Sequence, residues 1–275
     1  YKTSNSLYSA FDKFIMNLPF YGTSIVNEDD RNLKKIIDSN DTRKIISFSK
    51  KNKKASVFIE NISFKNQFSF FTLKFNIPIN NLSGSYSYKI KAIGLHNVYN
   101  GAASIIAGLL AGVKNSYIRN ALRNYIGVKR RFTHLGNVNL SNIYDDYAHH
   151  PTEIRAVISG VKEVYKNRKI IIVFQPHRYS RVKFLKKEFA SSFKSCDAVI
   201  LCPVYSAGEK KRYNFNQNNF SQLISKKSKV QVINIKNQED LKNYFKKNLF
   251  DNEMIICMGA GNISNWIREI SKELK

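Results

Sequence analysis

From Pro151 onward the chain alternates without interruption between two kinds of segment. PTEIRAVISGVKEVYK, RVKFLKKEFASSF, FSQLISKK, QEDLKNYFKKNL and NISNWIREISKEL carry apolar residues at helical spacing. KIIIVFQ, DAVILCPV, VQVINI and EMIICM are short, continuous and rich in β-branched residues. A strand with no polar alternate positions is apolar on both faces, and each pair of strands is separated by enough chain for a crossover helix. That combination demands a parallel sheet covered by helices on both sides, a doubly wound α/β layout. In an open sheet of this kind ligands bind beyond the C-terminal ends of the strands. The residues that follow each apolar run are therefore where chemistry is expected.

The first part of the chain is organised differently. LYSAFDKFIMNL has helical period and stops at Pro19, TSIVN and KIISFS are short strands, and DDRNLKKII between them is a helix with an acidic first turn. From Ala55 to Ile93 the pattern turns to β, with ASVFIENISF, FSFFTLKFNI and SYSYKIKAI separated by Asn, Pro, Ser and Gly turns. GLHNVYNGAASIIAGLLAGV then opens a helix, and SYIRNALRNYIG predicts a second, with Ser116 as N-cap and Gly127 at its end. A length of 275 residues accommodates two ordinary domains. The change of rhythm places their boundary at Gly127–Arg131, giving 1–130 and 131–275.

A formal net charge of +25 raises the question of an anionic partner. The lysines, however, are scattered among Asn and Ile, as in NYFKKNLFDN and SQLISKKSKVQ, with no basic stripe carrying interleaved aromatics. The expectation is solvated lysine and no nucleic-acid partner; a basic, non-catalytic nucleic-acid-binding protein is the rival reading, marked by steep salt dependence of binding. Cys196, Cys202 and Cys257 form no C-x-x-C motif and no disulfide framework, which fits a reducing, cytoplasmic compartment. The longest apolar run, GAASIIAGLLAGV, is too short to span a bilayer and reads as a buried helix.

Three polar clusters follow predicted strands. In IYDDYAHHPTEIRA, Pro151 suits the first helical position and Glu153 the positive helix N-terminus, so Asp145, Asp146, Tyr147, His149 and His150 sit between a strand and a helix. Adjacent histidines in a turn seldom converge on one ion, and no further ligand has a supporting spacing, which argues against a metal. A polar turn with two half-buried histidines and a ligand-facing cluster both stay open. FQPHRYSR places Arg178 and Arg181 three apart beside a His and a Gln, and guanidinium forks suit carboxylate or phosphate oxygens. VYSAGE, from Val204 to Glu209, is a third polar loop, and three such loops in succession favour a binding crevice. GAGN after MIICM could offer backbone amides to an anion, although Ser264 stands where a dinucleotide fingerprint has its third glycine. In the first part, His96, Asn97 and Asn100 open a helix. Asn97 and Asn100 can share one side and read an adenine edge or a ribose, or Asn97 can simply cap the helix. Arg130 and Arg131 fall at the expected junction, where a cation would reach a nucleotide.

Taken together, NLPFYG, GLHNVYN, RRF, DDYAHHPTEI, FQPHRYSR and GAGN resemble, in order and over essentially the whole chain, the Mur ligases, the ATP-dependent amide ligases of peptidoglycan synthesis. The resemblance implies the later part of a central ATPase domain followed by a Rossmann-like doubly wound C-terminal domain. It implies ATP and Mg as cofactors, UDP-N-acetylmuramate and L-alanine as substrates, and an acyl phosphate as intermediate. The murein tripeptide ligase activity of the same family is the alternative, against which HRYSR argues. The family's P-loop and Mg-ligating Glu and His are absent from the sequence and would lie upstream of Tyr1. The chain, which opens on YKTSNSLYSAF without an initiator Met, is thus expected to be a fragment inactive alone. By position, His96, Asn97 and Asn100 match the segment beside adenine, Arg131 the arginine at the ATP phosphates and Asp146 the acid facing the ribose. Tyr147 and His149 match the lining of the amino-acid pocket, and Arg178 and Arg181 the basic pair near the substrate carboxylates. Ala148 stands where some family members have glycine, and none of these residues is implied to be a metal ligand.

Overall fold

The computed structural model describes residues 4–39, 42–65, 67–210, 215–248 and 252–274. Residues 1–3 of the opening segment, Asn66 between two of the expected strands, and Leu249 at the end of an expected helix lie outside them. The chain divides into two compact units, Tyr1–Ile126 and Gly127–Lys275.

The first unit runs α1 (Ser4–Met16), β1 (Thr23–Asn27), α2 (Arg31–Asp38), β2 (Lys44–Ser49), β3 (Val57–Lys65), β4 (Phe68–Ile79), β5 (Leu82–Ile90), α3 (Leu95–Leu110) and α4 (Asn115–Arg123). Its five strands lie in chain order, with β1, β2 and β3 parallel and β3, β4 and β5 an antiparallel meander. Helix α3 buries Val98, Ala102, Ile105, Ile106 and Leu109 against Phe71, Leu73 and Ile90 of the sheet. Each fully buried aliphatic side chain there contributes about 1.5–3 kcal/mol relative to exposure. The apolar run that was too short for a membrane is thus core, and among the described residues no helix is long and apolar enough to cross one. Two expected helix starts shift. Asp30 is the N-cap of α2, accepting from the amides of Asn32 and Leu33, so the acidic pair precedes the first turn. Helix α4 begins at Asn115 with Lys114 at the cap, which leaves Ser116 inside the helix.

The second unit runs β6 (Thr133–Val138), β7 (Ser141–Asp146), α5 (Pro151–Val164), β8 (Ile170–Phe174), α6 (Tyr179–Phe184), α7 (Lys186–Ala190), β9 (Ala198–Leu201), α8 (Gln217–Ser228), β10 (Gln231–Asn234), α9 (Gln238–Lys247), β11 (Met254–Met258) and α10 (Ile263–Glu273). The sheet order is β10-β9-β8-β11-β7-β6, all pairs parallel except β6 with β7. Every residue of β11 is buried, as a central strand covered on both faces requires. The α/β architecture is therefore the one the strand-helix alternation demands. The expected helix across 181–193 is broken in two at Leu185, and the antiparallel edge strand β6 was not foreseen.

Candidate functional site

Strand register sets the site. Met258 of β11 pairs with Asp146 of β7 and with Phe174 of β8, and Phe174 pairs with Leu201 of β9. Tyr147, Gln175, Cys202 and Gly259 therefore each begin a loop at one level of the same sheet edge, the carboxyl edge at which open α/β sheets bind ligands.

The β7 loop turns on Asp146, which is only 3% exposed. Its Oδ1 accepts from the Ala148 amide at 2.8 Å and its Oδ2 from the Phe132 amide at 2.8 Å. Burial pushes this carboxyl above the usual carboxylate range, opposed by those two N–H groups and by Arg131. Past the turn, Glu153 accepts from the amides of His149 (3.0 Å) and His150 (3.2 Å), while His150 Nδ1 accepts from Thr152. This is a capping box with Pro151 at the start of α5, so His150 caps the helix and His149 is the histidine held forward of it. His149 Nδ1 donates to the Tyr147 carbonyl at 3.0 Å, which leaves Nε2 as the acceptor of the neutral ring.

The β8 loop meets the β7 loop through aromatic rings. His177 lies edge-on to His149, with centroids 5.9 Å apart, and stacks on Tyr205 of the β9 loop at 5.6 Å. Arg181 Nη1 is 3.3 Å from His177 Nδ1. A guanidinium only donates, so Nδ1 accepts and the His177 proton sits on Nε2. Burial first, then the charges of Arg181, His149 and Arg178, hold His177 below the ordinary histidine value. Burial and Arg178 also lower Arg181 from the usual arginine value. The His149, His177 and Arg181 side chains are thus one connected group, with Arg178 exposed at the cap of α6.

Beneath them a second network ties the β7 and β11 ends together. Asp145, fully buried, accepts from Ser264 Oγ at 2.6 Å and Arg268 Nη2 at 2.8 Å, and faces Arg130 Nε at 4.0 Å. Arg130 donates to the carbonyls of Gly259 and Gly261 and stacks on the Tyr147 ring at 4.7 Å. Gln175 Oε1 accepts the Ile263 amide, the first N–H of α10. A Cβ on Gly261 would stand 2.4 Å from Gln175 Oε1 and 2.6 Å from Tyr205 Cγ, so only glycine fits beneath these side chains. Two expectations change. The anion cradle at GAGN is partly filled by the protein's own side chains, and Arg130 points inward as a brace rather than outward as a cation for a nucleotide. Arg131 is the exposed member of the pair, 6.0 Å from the Tyr147 ring.

In the first unit, Gly94 caps α3, so Asn97 is not the N-cap. Its Nδ2 donates to the Ile93 carbonyl at 2.7 Å and contacts His96 Nε2 at 3.1 Å. With both amide protons engaged, Oδ1 is the free-valence end of the Asn97 side chain. Asn100 is exposed one turn along, and between them Tyr99 donates to Asp29 Oδ2 at 2.6 Å. Asp29 also accepts from Ser49 Oγ at 2.7 Å and the Lys50 amide at 2.9 Å, bracing the first turn of α3 on the ends of β1 and β2.

Sequence reasoning brought out the β7 and β8 clusters but gave no role to His177, Tyr205 or Asp145. FQPHRYSR and VYSAGE contain the first two. Nothing in the local pattern marks Asp145, Ser264 and Arg268 as partners, because their meeting depends on β11 inserting between β7 and β8. Among the described residues no group of three or more His, Cys, Asp or Glu is arranged to hold a metal ion.

A mixed-sheet unit is joined in sequence to a doubly wound unit, with polar loops gathered at the strand ends of the latter. Residues 1–108 match the Mur ligase middle domain and residues 130–261 the Mur ligase, glutamate ligase domain. The chain belongs to the Mur ligase family. It is 39% identical over 270 residues to the UDP-N-acetylmuramate–L-alanine ligase of Pelagibacter ubique, covering 98% of this chain and 58% of that relative. Among solved structures it is similar to UDP-N-acetylmuramate–alanine ligase from Thermotoga maritima, with a TM-score of 0.73 at 23% identity, over 99% of this chain and 55% of that one. It is also similar to the MurF ligase of Thermotoga maritima in complex with ADP, with a TM-score of 0.73 at 15% identity, over 99% of this chain and 58% of that one. The chain thus spans somewhat more than half the length of each of these proteins.

Proposed function

We propose that the protein acts as an ATP-dependent ligase that joins L-alanine to UDP-N-acetylmuramate in peptidoglycan synthesis. The observation that carries the reading is the joining of His149, His177 and Arg181 across the ends of β7 and β8, which flank β11, in a chain so similar to UDP-N-acetylmuramate–L-alanine ligase. In this reading residues 1–130 are the later part of the ATP-binding domain and residues 131–275 the ligase domain. The family match over 1–108 and 130–261 supports that division.

The muramate carboxylate attacks the terminal phosphorus of ATP, releasing ADP and forming an acyl phosphate. The alanine amine then attacks the acyl carbon, and the tetrahedral intermediate expels phosphate. Both reactants of the first step are anionic, so the protein's task is positioning and charge neutralisation. We assign His96, Asn97 and Asn100 to the adenine, where Asn97 Oδ1 would accept from the exocyclic amine. Arg131 is assigned to the phosphates and Asp146 to the ribose, each of its carboxylate oxygens keeping a further lone pair for a hydroxyl. Arg178 and Arg181 are assigned to the alanine and muramate carboxylates. Tyr147 lines the amine's pocket, and His149 Nε2 accepts an N–H of the ammonium group as it loses its proton. Magnesium would supply charge neutralisation between the ATP phosphates, and none of the site residues named above is assigned to it.

The test is turnover by the full-length natural protein. ADP release that requires both UDP-N-acetylmuramate and L-alanine is the expected result; ADP release independent of either substrate rejects the reading. Replacement of L-alanine by murein tripeptide should abolish turnover. Arg181→Ala should raise the KM for alanine by about tenfold or more, the worth of a charge-assisted hydrogen bond. Unchanged alanine kinetics would remove Arg181 from its assigned role.

A further inference from the structure

The backbone of Arg178 is unusual for a residue with a side chain: φ is +70° and ψ 128°. Such conformations cost about 1–3 kcal/mol and persist only where the surroundings over-determine them. Two sets of bonds do so here. The Arg178 amide donates to the Tyr205 carbonyl at 2.8 Å, and the Tyr205 amide to the Pro176 carbonyl at 2.8 Å, so the β8 and β9 loops continue the pairing of their strands. Glu209 then reaches across from the same β9 loop. Its Oε2 accepts from the Ser180 amide at 3.1 Å and its Oε1 from Ser180 Oγ at 2.5 Å. Both central residues of the turn that delivers it have positive φ, Ala207 at +51° and Gly208 at +82°, and the Glu209 amide closes the turn on the Ser206 carbonyl at 3.0 Å. A carboxylate gripping the residue between two arginines fixes where both guanidinium groups start.

We propose that Glu209 is a positioning residue for the Arg178–Arg181 pair: its two-pronged hold on Ser180 keeps the strained Arg178 turn in place and sets the recognition of the amine substrate's carboxylate. The proposal rests on the functional reading above in its second half only. The hydrogen bonds from Ser180 also hold the Glu209 carboxyl below the usual range, so the grip persists in mildly acidic solution.

The experiment uses Glu209→Ala, Glu209→Gln and Ser180→Ala in the full-length protein, with two readouts. Amide hydrogen exchange at Ser180 should accelerate by about tenfold or more in Glu209→Ala, as for a lost charge-assisted hydrogen bond. The KM for L-alanine should rise about tenfold in Glu209→Ala, less in Ser180→Ala and Glu209→Gln, while the KM for ATP stays within about twofold. A merely structural role would move both KM values together or neither. Unchanged Ser180 exchange overturns the clamp, and accelerated exchange with an unchanged alanine KM overturns its role in recognition. No turnover in the unsubstituted protein overturns the functional reading instead, and the exchange result then decides the clamp by itself. Should Glu209→Ala fail to fold, Ser180→Ala removes one prong and is judged by the same two readouts.

Discussion

The first turn of α3 and the strand-end loops of the second unit both present polar groups, but they are built on opposite plans. In α3 the residues assigned to the nucleobase lie within about one turn of helix, and Tyr99 on Asp29 braces that turn to the ends of β1 and β2. In the second unit the side chains arrive from four strand ends and are held to one another: His149 by His177, His177 by Tyr205 and Arg181, and Tyr147 by Arg130. The helical plan is local and tolerant. The sheet-edge plan is collective, so losing one buried tie should disturb several loops together.

The largest expected effect tests that collective character. Asp145 is fully buried and neutralises Arg268 at 2.8 Å and Arg130 at 4.0 Å. Asp145→Ala removes the carboxylate that accepts from Arg268 and Ser264 and that faces Arg130, which keeps its bonds to the Gly259 and Gly261 carbonyls. Breaking such a pair costs about 3–5 kcal/mol, and the partial exposure of Arg268 favours the lower end. Urea unfolding should show a loss of unfolding free energy of that size, read as a lowered midpoint at unchanged m, and the amides after Gly259 and around Tyr147 should exchange faster together. Loosening of one loop alone would break the comparison. Tyr99→Phe is the counterpart in the first unit. It removes one hydrogen bond while Ser49 and Lys50 keep theirs on Asp29, so it should cost about 1 kcal/mol. Its functional trace should be a raised KM for ATP with an unchanged KM for alanine.

The same contrast explains what the sequence made legible. TSIVN and KIISFS are found as strands over those very residues, because their apolar runs are short and bounded by turn residues. The buried helix at Gly101 and the start of α5 at Pro151 were legible for the same local reasons. Where tertiary partners decide, local signals misled. Asn115 accepts from the Tyr88 hydroxyl at 2.9 Å and belongs to α4, which puts Ser116 inside the helix. Strand β6 contains Gly136 at a register shift and lacks the apolar alternation that would announce it. The break at Leu185 leaves the helical period intact and so is invisible to it. For the site, the loops themselves were visible as motifs. Their ties were not, since Asp145 meets Arg268 only after the last strand inserts beside β7.

The smallest effect separates the two units by pH. His177 is held below its ordinary value of 6.5 by burial and by Arg181, His149 and Arg178, and burial also lowers His150. The folded protein thus binds these protons more weakly than the unfolded chain does. Their contribution to stability is complete above 6.5 and declines as pH falls below it toward the lower folded values. Asp29 behaves differently. Burial raises its carboxyl, but the bonds from Ser49, Tyr99 and Lys50 outweigh that, and the net value lies below 3.8. Its contribution is complete above 3.8 and lost only as pH falls through the lowered value. Thermal unfolding followed from about pH 7 to about pH 3 should therefore weaken the second unit first. His177→Gln should remove part of the early decline, while His150→Asn, which keeps a cap for α5, should remove another part. Simultaneous loss of both units on acidification, or an early decline unmoved by either substitution, would show that the histidines at the sheet edge do not carry the difference.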